Sequence, residues 1–247
     1  MRRSLPLVGG AALMGAYWLP ATAAFIPAAA QRFEISTRAL GGSGVVLTFD
    51  DGPHCEGTPA VLAELELCRT PAVFFVTGEQ VVRYPGIARE ILAAGHELGL
   101  HGFRHQTRRQ WTERLLVEDT RRAIDAVGAA TGLAPCLYRP PHGVFSLVGL
   151  RAVRRLGLEP LLWSTWGRDW EARATAASIA RRATAGIGAR DIVLLHDADH
   201  YGAAGSWRHT VAALPHILET IESRGLATQP WHSAGRVSAR DPSSVLT

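Results

Sequence analysis

The sequence contains no lysine: all 26 residues counted as Lys or Arg are arginine, and the net charge is +4. A charge this close to balance does not indicate a nucleic-acid-binding protein, because such binding draws on a strong positive field. The paired arginines lie among acidic residues in segments with helical patterning, which is typical of solvated helix faces. We therefore expect no nucleic-acid partner.

Cysteine is also scarce, with three residues and no Cys-x-x-Cys spacing. Cys55, Cys68 and Cys136 therefore indicate neither a zinc knuckle nor a disulfide framework. We expect three small, partly buried side chains, although one pair could form a disulfide in an oxidising compartment. Apart from an alanine-rich start, the sequence has no short-period repeat or low-complexity tract, which excludes solenoids and arrays.

Charged residues are missing from a long stretch near the start of the chain. Arg2 and Arg3 are followed by an uncharged, apolar run from Leu5 to about Ala30. This pattern is typical of a signal peptide or of a membrane anchor, and both interpretations stay open. In either case we expect an exported protein, which would be extracellular, periplasmic or membrane-anchored facing outside.

Strand-like and helix-like segments alternate after the leader. We divide the chain into a leader (1–30), a polar connector (31–43), one α/β domain (44–230) and a C-terminal tail (231–247). Strands are predicted at 45–49, 72–76, 96–100, 137–139, 161–164 and 192–195. Helices are predicted at about 58–67, with Thr58 as the N-cap before Pro59, and at about 85–94, 147–156, 176–183 and 207–224, and a long one opens at Thr112. This alternation predicts a parallel sheet or barrel.

Polar clusters follow the predicted strands. In a parallel α/β domain the loops after the strands share one face, so these clusters should meet there. The five clusters are Thr48–Pro53, His101–His105, Arg139–Gly143, Trp163–Trp170 and Leu194–Asp197.

His101 and His105 are four residues apart, a spacing that also fits a surface pair or two core histidines. Two neutral imidazoles and one carboxylate, however, form a ligand set suited to catalytic zinc and related divalent metals. Asp50 and Asp51 are adjacent, and neighbouring side chains on an extended segment point in opposite directions. The two aspartates can therefore do different jobs.

Taken together and in this order, the five clusters resemble those of the polysaccharide deacetylases of carbohydrate esterase family four. The resemblance covers about Gly44 to Thr228 and is carried above all by Thr-Phe-Asp-Asp-Gly-Pro together with His-x-x-x-His. It implies a distorted (β/α) barrel with fewer than eight strands, in which parallel strands are surrounded by helices. It also implies a metal-dependent deacetylase acting on an N-acetylated glycan, with residues 44–230 as the catalytic domain.

The resemblance assigns the metal and the base. It makes Asp51, His101 and His105 the ligands of one divalent ion, with Zn²⁺ expected first and Co²⁺ or another transition metal as alternatives. It makes Asp50 the general base that deprotonates the attacking water. Arg139 matches the arginine that pairs with this base.

The resemblance also assigns the acid and the acyl pocket. His196 matches the general acid that protonates the leaving amine, and Asp169 matches the carboxylate that orients it. Trp170 and Leu194 match residues that line the acetyl pocket. A backbone N–H near His142 is expected to stabilise the tetrahedral oxyanion.

Two positions depart from the family pattern. Gly102 stands where the family usually has Ser or Thr, and His142 stands where it usually has an aromatic residue. The first change predicts a lower metal affinity, and the second puts in doubt a sugar-stacking role. An O-acetyl esterase acting on a polysaccharide such as acetylated xylan and a catalytically silent glycan-binding module are the alternative functions. Membrane association through the N-terminal segment is a further expectation.

Overall fold

A computed structural model describes residues 17–107 and 112–231 of the chain. In the described residues seven parallel strands form one sheet in the order β5-β4-β3-β2-β1-β7-β6. The strands are β1 (Val46–Asp50), β2 (Ala72–Val76), β3 (Glu97–Leu100), β4 (Leu137–Tyr138), β5 (Glu159–Pro160), β6 (Thr165–Trp166) and β7 (Ile192–His196).

Helices connect the strands and surround the sheet. They are α1 (Pro27–Arg32), α2 (Gly57–Leu67), α3 (Gly78–Arg83), α4 (Pro85–Ala93), α5 (Glu113–Thr131), α6 (Leu147–Arg155), α7 (Ala176–Ala183) and α8 (Ser206–Ser223), with short 3₁₀ helices at Leu19–Ala24 and Pro141–Gly143. Strands β1 and β2 are buried along their whole length, as expected of central parallel strands covered on both faces. The curled half-barrel confirms the predicted distorted (β/α) barrel.

The predicted strand at 161–164 is wrong. Its neighbours on either side form β5 and β6, which pair with β4 and β7 at opposite edges of the sheet. Residues 161–164 therefore run between the two edge strands, and their backbone N–H groups extend the pairing of both, with Leu161 donating to Tyr138 and Ser164 donating to Ile192, each at 3.0 Å. Ser36 forms a parallel bridge with Leu161, so a segment before the sheet lies at the gap between the two edges.

Two helix starts show how local sequence acts. Helix α5 opens at Thr112 as predicted, and the hydroxyl of Thr112 caps it by accepting the backbone N–H of Leu115 at 3.3 Å. Helix α2 instead begins at Gly57, one residue before the predicted cap. The hydroxyl of Thr58 accepts the N–H of His54 at 2.7 Å and donates to the carboxylate of Asp197. The hydroxyl of Thr58 is therefore engaged by His54 and Asp197 and does not serve as the N-cap of α2.

The cysteines differ from the prediction, and the chain ends bear on the predicted boundaries. All three cysteine side chains are exposed rather than partly buried, and no disulfide joins them. No helix within residues 17–107 and 112–231 is long and apolar enough to cross a membrane. Residues 1–16 of the predicted leader and 232–247 of the predicted tail lie outside the described residues.

Candidate active site

The strand register brings the polar clusters together at the carboxyl ends of the strands. Asp50, the last residue of β1, lies opposite His196, the last residue of β7. On the other side, the N–H of Arg139 donates to the carbonyl of Leu100 at 2.9 Å, so Arg139 lies next to His101 at the ends of β4 and β3. Residues far apart in the chain therefore meet because parallel strands end together.

A cavity of about 170 Å³ opens at the carboxyl ends of the strands. Eight of the predicted site residues line it: Asp50, Asp51, His101, His105, His142, Trp170, Leu194 and His196. The other two, Arg139 and Asp169, are fully buried and hydrogen-bond to residues that line the cavity.

Asp51 has a left-handed backbone, with φ of 79°. This conformation is costly for a residue other than glycine. Neighbouring side chains point in opposite directions only where the backbone is extended. Because the backbone of Asp51 is left-handed, the two aspartates do not follow that alternation. As a result Asp50 Oδ2 lies 3.8 Å and Asp51 Oδ1 lies 3.5 Å from Nε2 of His101.

Asp51 and the two histidines form a compact group of donor atoms. Asp51 Oδ1 lies 3.5 Å from Nε2 of both His101 and His105, is buried, and has no hydrogen-bond partner in the protein. Nδ1 of His101 lies 2.8 Å from the carbonyl oxygen of Arg139 and donates to it, which leaves the Nε2 lone pair facing Asp51. A buried carboxylate oxygen without a partner is costly unless something else satisfies it.

The protonation of this group suits a cation. Burial and neighbouring histidines lower the pKa of His105 to about 2. Burial and the charge of Arg139 lower the pKa of His101 well below its usual value. Burial raises the pKa of Asp51 to about 7. Two neutral imidazoles beside a buried carboxylate oxygen without a hydrogen-bond partner are the donor set expected of a divalent metal site.

Asp50 is held by a buried guanidinium. Nη1 of Arg139 donates to Asp50 Oδ1 at 2.6 Å and to the hydroxyl of Thr48 at 2.8 Å, and Nη2 donates to the carbonyl of Leu162 at 3.0 Å. Burial raises the pKa of Asp50, and the positive charge of Arg139 opposes that rise. The carboxylate is thus fixed in direction while its proton affinity stays above that of an exposed aspartate.

His196 is held by a second buried carboxylate. Its Nδ1 donates to Asp169 Oδ1 at 2.9 Å, its backbone N–H donates to Oδ2 at 2.7 Å, and the hydroxyl of Thr210 on α8 donates to Oδ2 at 2.7 Å. Burial alone would lower the pKa of His196, but Asp169, Asp51 and Asp50 outweigh it and raise that pKa to about 10. The imidazole is therefore held as a cation, with Nε2 3.9 Å from Asp51 Oδ2.

Three further aromatic side chains line the cavity, although no individual role was predicted for any of them. Trp163 and Trp166 stack at 5.7 Å between ring centroids, and Trp166 meets Trp170 edge to face at 5.6 Å. Tyr201 stacks on His105 at 4.3 Å with an interplanar angle of 12°, and its hydroxyl donates to Glu79 at 2.6 Å. The run of tryptophans beside Asp169 was a usable signal for the first two, whereas nothing in the sequence points Tyr201 at a histidine about a hundred residues away.

A second group of metal-ligating side chains lies nearby, with one donor atom each from His54, Asp199 and His200 within 4.8 Å of one another. Nδ1 of His54 accepts the N–H of Gly57 at 2.9 Å, so the proton of the neutral ring is on Nε2. That nitrogen faces Asp199 at 3.3 Å and donates to it. A protonated nitrogen cannot ligate a metal, so this group is a hydrogen-bonded cluster.

Comparison with known proteins agrees with the site. Residues 37–161 match the family model described as polysaccharide deacetylase. A chitooligosaccharide deacetylase from Azorhizobium caulinodans is 32% identical over 197 residues, which cover 76% of this chain and 92% of that protein. The chain belongs to the polysaccharide deacetylase family.

Other relatives place the polysaccharide deacetylase domain in different contexts. The peptidoglycan-N-acetylglucosamine deacetylase PgdA of Listeria monocytogenes is 32% identical over 181 residues, which cover 73% of this chain and only 36% of that protein. The family 4 carbohydrate esterase from Streptomyces lividans, solved in complex with acetate, superposes with a TM-score of 0.67 at 27% identity, covering 76% of this chain and 92% of that one. Family membership makes this protein a hydrolase of the glycan deacetylase class.

Proposed function

We propose that this protein is a metal-dependent deacetylase that hydrolyses N-acetyl groups of a glycan containing N-acetylglucosamine. The observation that carries the proposal is the buried, unpartnered Oδ1 of Asp51, equidistant from Nε2 of His101 and His105. These three residues would hold one divalent ion, with zinc first and cobalt or another transition metal as alternatives. When bound, such an ion polarises the acetyl carbonyl and lowers the pKa of a water molecule.

Asp50 is proposed as the general base. Its carboxylate faces the same cavity as Asp51 but is held by Arg139, which directs one oxygen away from the metal ligands. A base works best when its pKa lies near the working pH, and burial raises the pKa of Asp50 in that direction. It would take the proton of the attacking water.

His196 is proposed as the general acid. Its imidazolium is stabilised by Asp169, and its Nε2 faces the cavity. An amine is a poor leaving group until it is protonated, so a cationic imidazole beside the scissile bond would donate that proton. Asp169 touches no reacting atom in this scheme and acts as a positioning residue.

The acyl group would lie against an apolar wall. Trp170 and Leu194 line the cavity, and Trp163 and Trp166 extend this wall. A methyl group gains from apolar contact, while bulky indole rings leave little room for a longer acyl chain. The backbone N–H of His142, at the cavity rim, is the proposed donor to the oxyanion.

The substrate and its location follow from relatives and from the N-terminal sequence. Chitooligosaccharide and peptidoglycan, the substrates in the relatives' names, both present N-acetylglucosamine, and peptidoglycan is outside the cytoplasm. The basic residues and apolar run at the start of the sequence support export. We therefore propose extracellular, periplasmic or membrane-anchored action, with residues 44–230 as the catalytic domain and the N-terminal segment associated with a membrane.

The deciding experiment is a substrate panel with metal control. Purified full-length protein is stripped with a chelator, reloaded with zinc or cobalt, and given acetylated chitooligosaccharides, peptidoglycan or acetylated xylan, with acetate and product masses measured. Zinc-restored release of acetate from the first two substrates supports the proposal. Release from acetylated xylan alone would support the O-acetyl esterase instead, and binding without turnover by the metal-loaded protein would support a silent module.

A further inference from the structure

The segment before the sheet is a folded part of the domain. Ala23 in the first 3₁₀ helix and Ala30 in α1 are 2% and 3% exposed and belong to the main hydrophobic cluster. The guanidinium of Arg154 on α6 donates to the backbone carbonyls of Phe33 and Glu34, the latter at 2.9 Å. The inner side of this segment therefore packs on the catalytic domain as core.

The outer side of the same segment is apolar and exposed. Leu19, Phe25 and Ile26 are 50%, 69% and 49% exposed, and residues 17–30 contain no charged side chain. Six large hydrophobic side chains are exposed among the described residues, and three of them lie within residues 19–26. We call the surface formed by Leu19, Phe25 and Ile26 the N-terminal face. Exposed apolar groups concentrated in this way mark a surface that contacts something else.

The sequence around the face identifies a lipid bilayer as its occupant. Residues 4–16, which lead directly into it, are uncharged and mainly apolar, and Arg2 and Arg3 precede them. Tyr17 and Trp18 then pair edge to face at 5.3 Å, and aromatic residues of this kind concentrate at membrane interfaces. The hydrocarbon boundary excludes charge, and the face has none. A protein partner would not require the adjoining run to be free of charge as well.

The face lies beside the active-site cavity. The ring of Phe25 meets that of Trp166 edge to face at 5.9 Å, and Trp166 lines the cavity. One aromatic contact thus separates the face from the cavity wall. We propose that the N-terminal face rests on the membrane surface and holds the cavity next to it, so that the enzyme acts on glycan attached to, or lying along, the outer membrane–water boundary. The substrate part of this inference rests on the proposed deacetylase activity, whereas the docking part deepens the proposed membrane association and does not depend on that activity.

The docking is tested by placing a polarity-sensitive fluorophore on the face. The three native cysteines of the full-length protein are first replaced (Cys55→Ser, Cys68→Ser and Cys136→Ser), and Ile26→Cys is then labelled with the fluorophore. The labelled protein is mixed with vesicles of phosphatidylethanolamine and phosphatidylglycerol, and its emission is measured. The matched control is Leu67→Cys. Leu67 is an equally apolar side chain, 77% exposed, that ends α2, where the chain leads into the central strand β2. We expect a blue shift and quenching by nitroxide lipid at position 26 and neither at position 67.

The same emission at both positions in the presence of vesicles would overturn the proposal. So would shielding of position 26 without vesicles, since residues 1–16 or a second copy of the chain would then cover the face. A functional arm compares Ile26→Glu with Leu67→Glu on lipid-linked and soluble acetylated oligosaccharide. Ile26→Glu should lower the ratio of lipid-linked to soluble activity, and Leu67→Glu should leave it unchanged. An unchanged ratio in Ile26→Glu contradicts membrane-proximal action, whereas inactivity of the unmutated enzyme on both substrates contradicts only the proposed function.

Discussion

Replacing Asp169 by Asn removes the charge that holds His196 as a cation while keeping the size of the side chain. The amide oxygen can still accept the N–H of His196 Nδ1, which lies 2.9 Å from Asp169 Oδ1 in the unmutated protein. The amide nitrogen, however, would face the backbone N–H of His196, which Oδ2 now accepts at 2.7 Å. The change thus removes the negative charge and one acceptor atom, which takes hydrogen bonds from this N–H and from the hydroxyl of Thr210.

The size of the effect follows from these contacts. The pKa of His196 is raised to about 10, and after desolvation, which lowers it, Asp169 is the largest contributor. An opposite charge at this range changes a pKa by about 1–3, so we expect the pKa to fall by about 2 in Asp169→Asn. This corresponds to ~3 kcal/mol less stabilisation of the imidazolium. Leaving the backbone N–H without an acceptor costs a further 1–3 kcal/mol or so of folding stability.

The sign of the pH effect is set by the role of the acid. In the proposed mechanism the enzyme is active while His196 is protonated, so activity is expected to be lost as pH rises through the pKa of this imidazole. Lowering that pKa moves the alkaline limb of the rate profile toward lower pH by about 2 in Asp169→Asn. The acetate release rate is measured against pH on a chitooligosaccharide, with metal content and thermal unfolding checked at each pH. An aryl acetate serves as the second substrate, because its leaving group departs without a proton and should suffer less.

Thr210→Val is the matched control. It removes the hydroxyl that donates to Asp169 Oδ2 at 2.7 Å but leaves the carboxylate charge in place. Its alkaline limb should stay close to that of the wild type. An unmoved limb in a folded, metal-loaded Asp169→Asn enzyme, with equal losses on amide and ester, would refute the assignment of His196 as the acid.

The remaining predictions concern the metal, the base and the pocket. His101→Ala and His105→Ala should each lose most bound metal in elemental analysis, because each removes one proposed ligand; full metal content and full activity would contradict the ligand set. Asp50→Asn should abolish turnover and keep the metal, since the neutral amide cannot accept the proton of water, and equal loss of metal would mean that the two aspartates are misassigned. Tyr201→Ala should weaken metal affinity about tenfold, as expected when a supporting contact to a ligand is lost, whereas Tyr201→Phe keeps the ring stacked on His105 and should change it little. Trp170→Ala should raise propionyl relative to acetyl hydrolysis by opening the acyl wall, and an unchanged ratio would remove Trp170 from that wall.

Several features could be predicted because they depend on neighbours in the chain. Apolar runs bounded by turn residues predicted β2 at its observed bounds and β1, β3, β4 and β7 to within one residue at each end. The cap of Thr112 was also local. The motif order predicted the family and its barrel, and it named residues that all line the cavity or hydrogen-bond to residues that do. Their catalytic and ligand roles stay predictions until the variants are measured.

Other features required the tertiary structure because they depend on atoms brought together from distant parts of the chain. The left-handed backbone of Asp51 aims both aspartates into one cavity, against the alternation expected of an extended segment. Glu159–Pro160 and Thr165–Trp166 became strands at opposite edges because their partners, β4 and β7, lie there.

The apolar run before the domain illustrates the same division. Its lack of charge, readable from the sequence, determined that it would avoid water. Only the fold decided which of its side chains do so by packing on the protein: Ala23 and Ala30 are in the core, while Phe25 and Ile26 face outward. Likewise, burial alone would lower the pKa of His196, but the charge and hydrogen bond of Asp169 and the charges of Asp51 and Asp50 raise it to about 10, a value that its position in the chain could not reveal. Composition sets what each side chain prefers, and the contacts made across the whole fold decide where, and with which partner, that preference is satisfied.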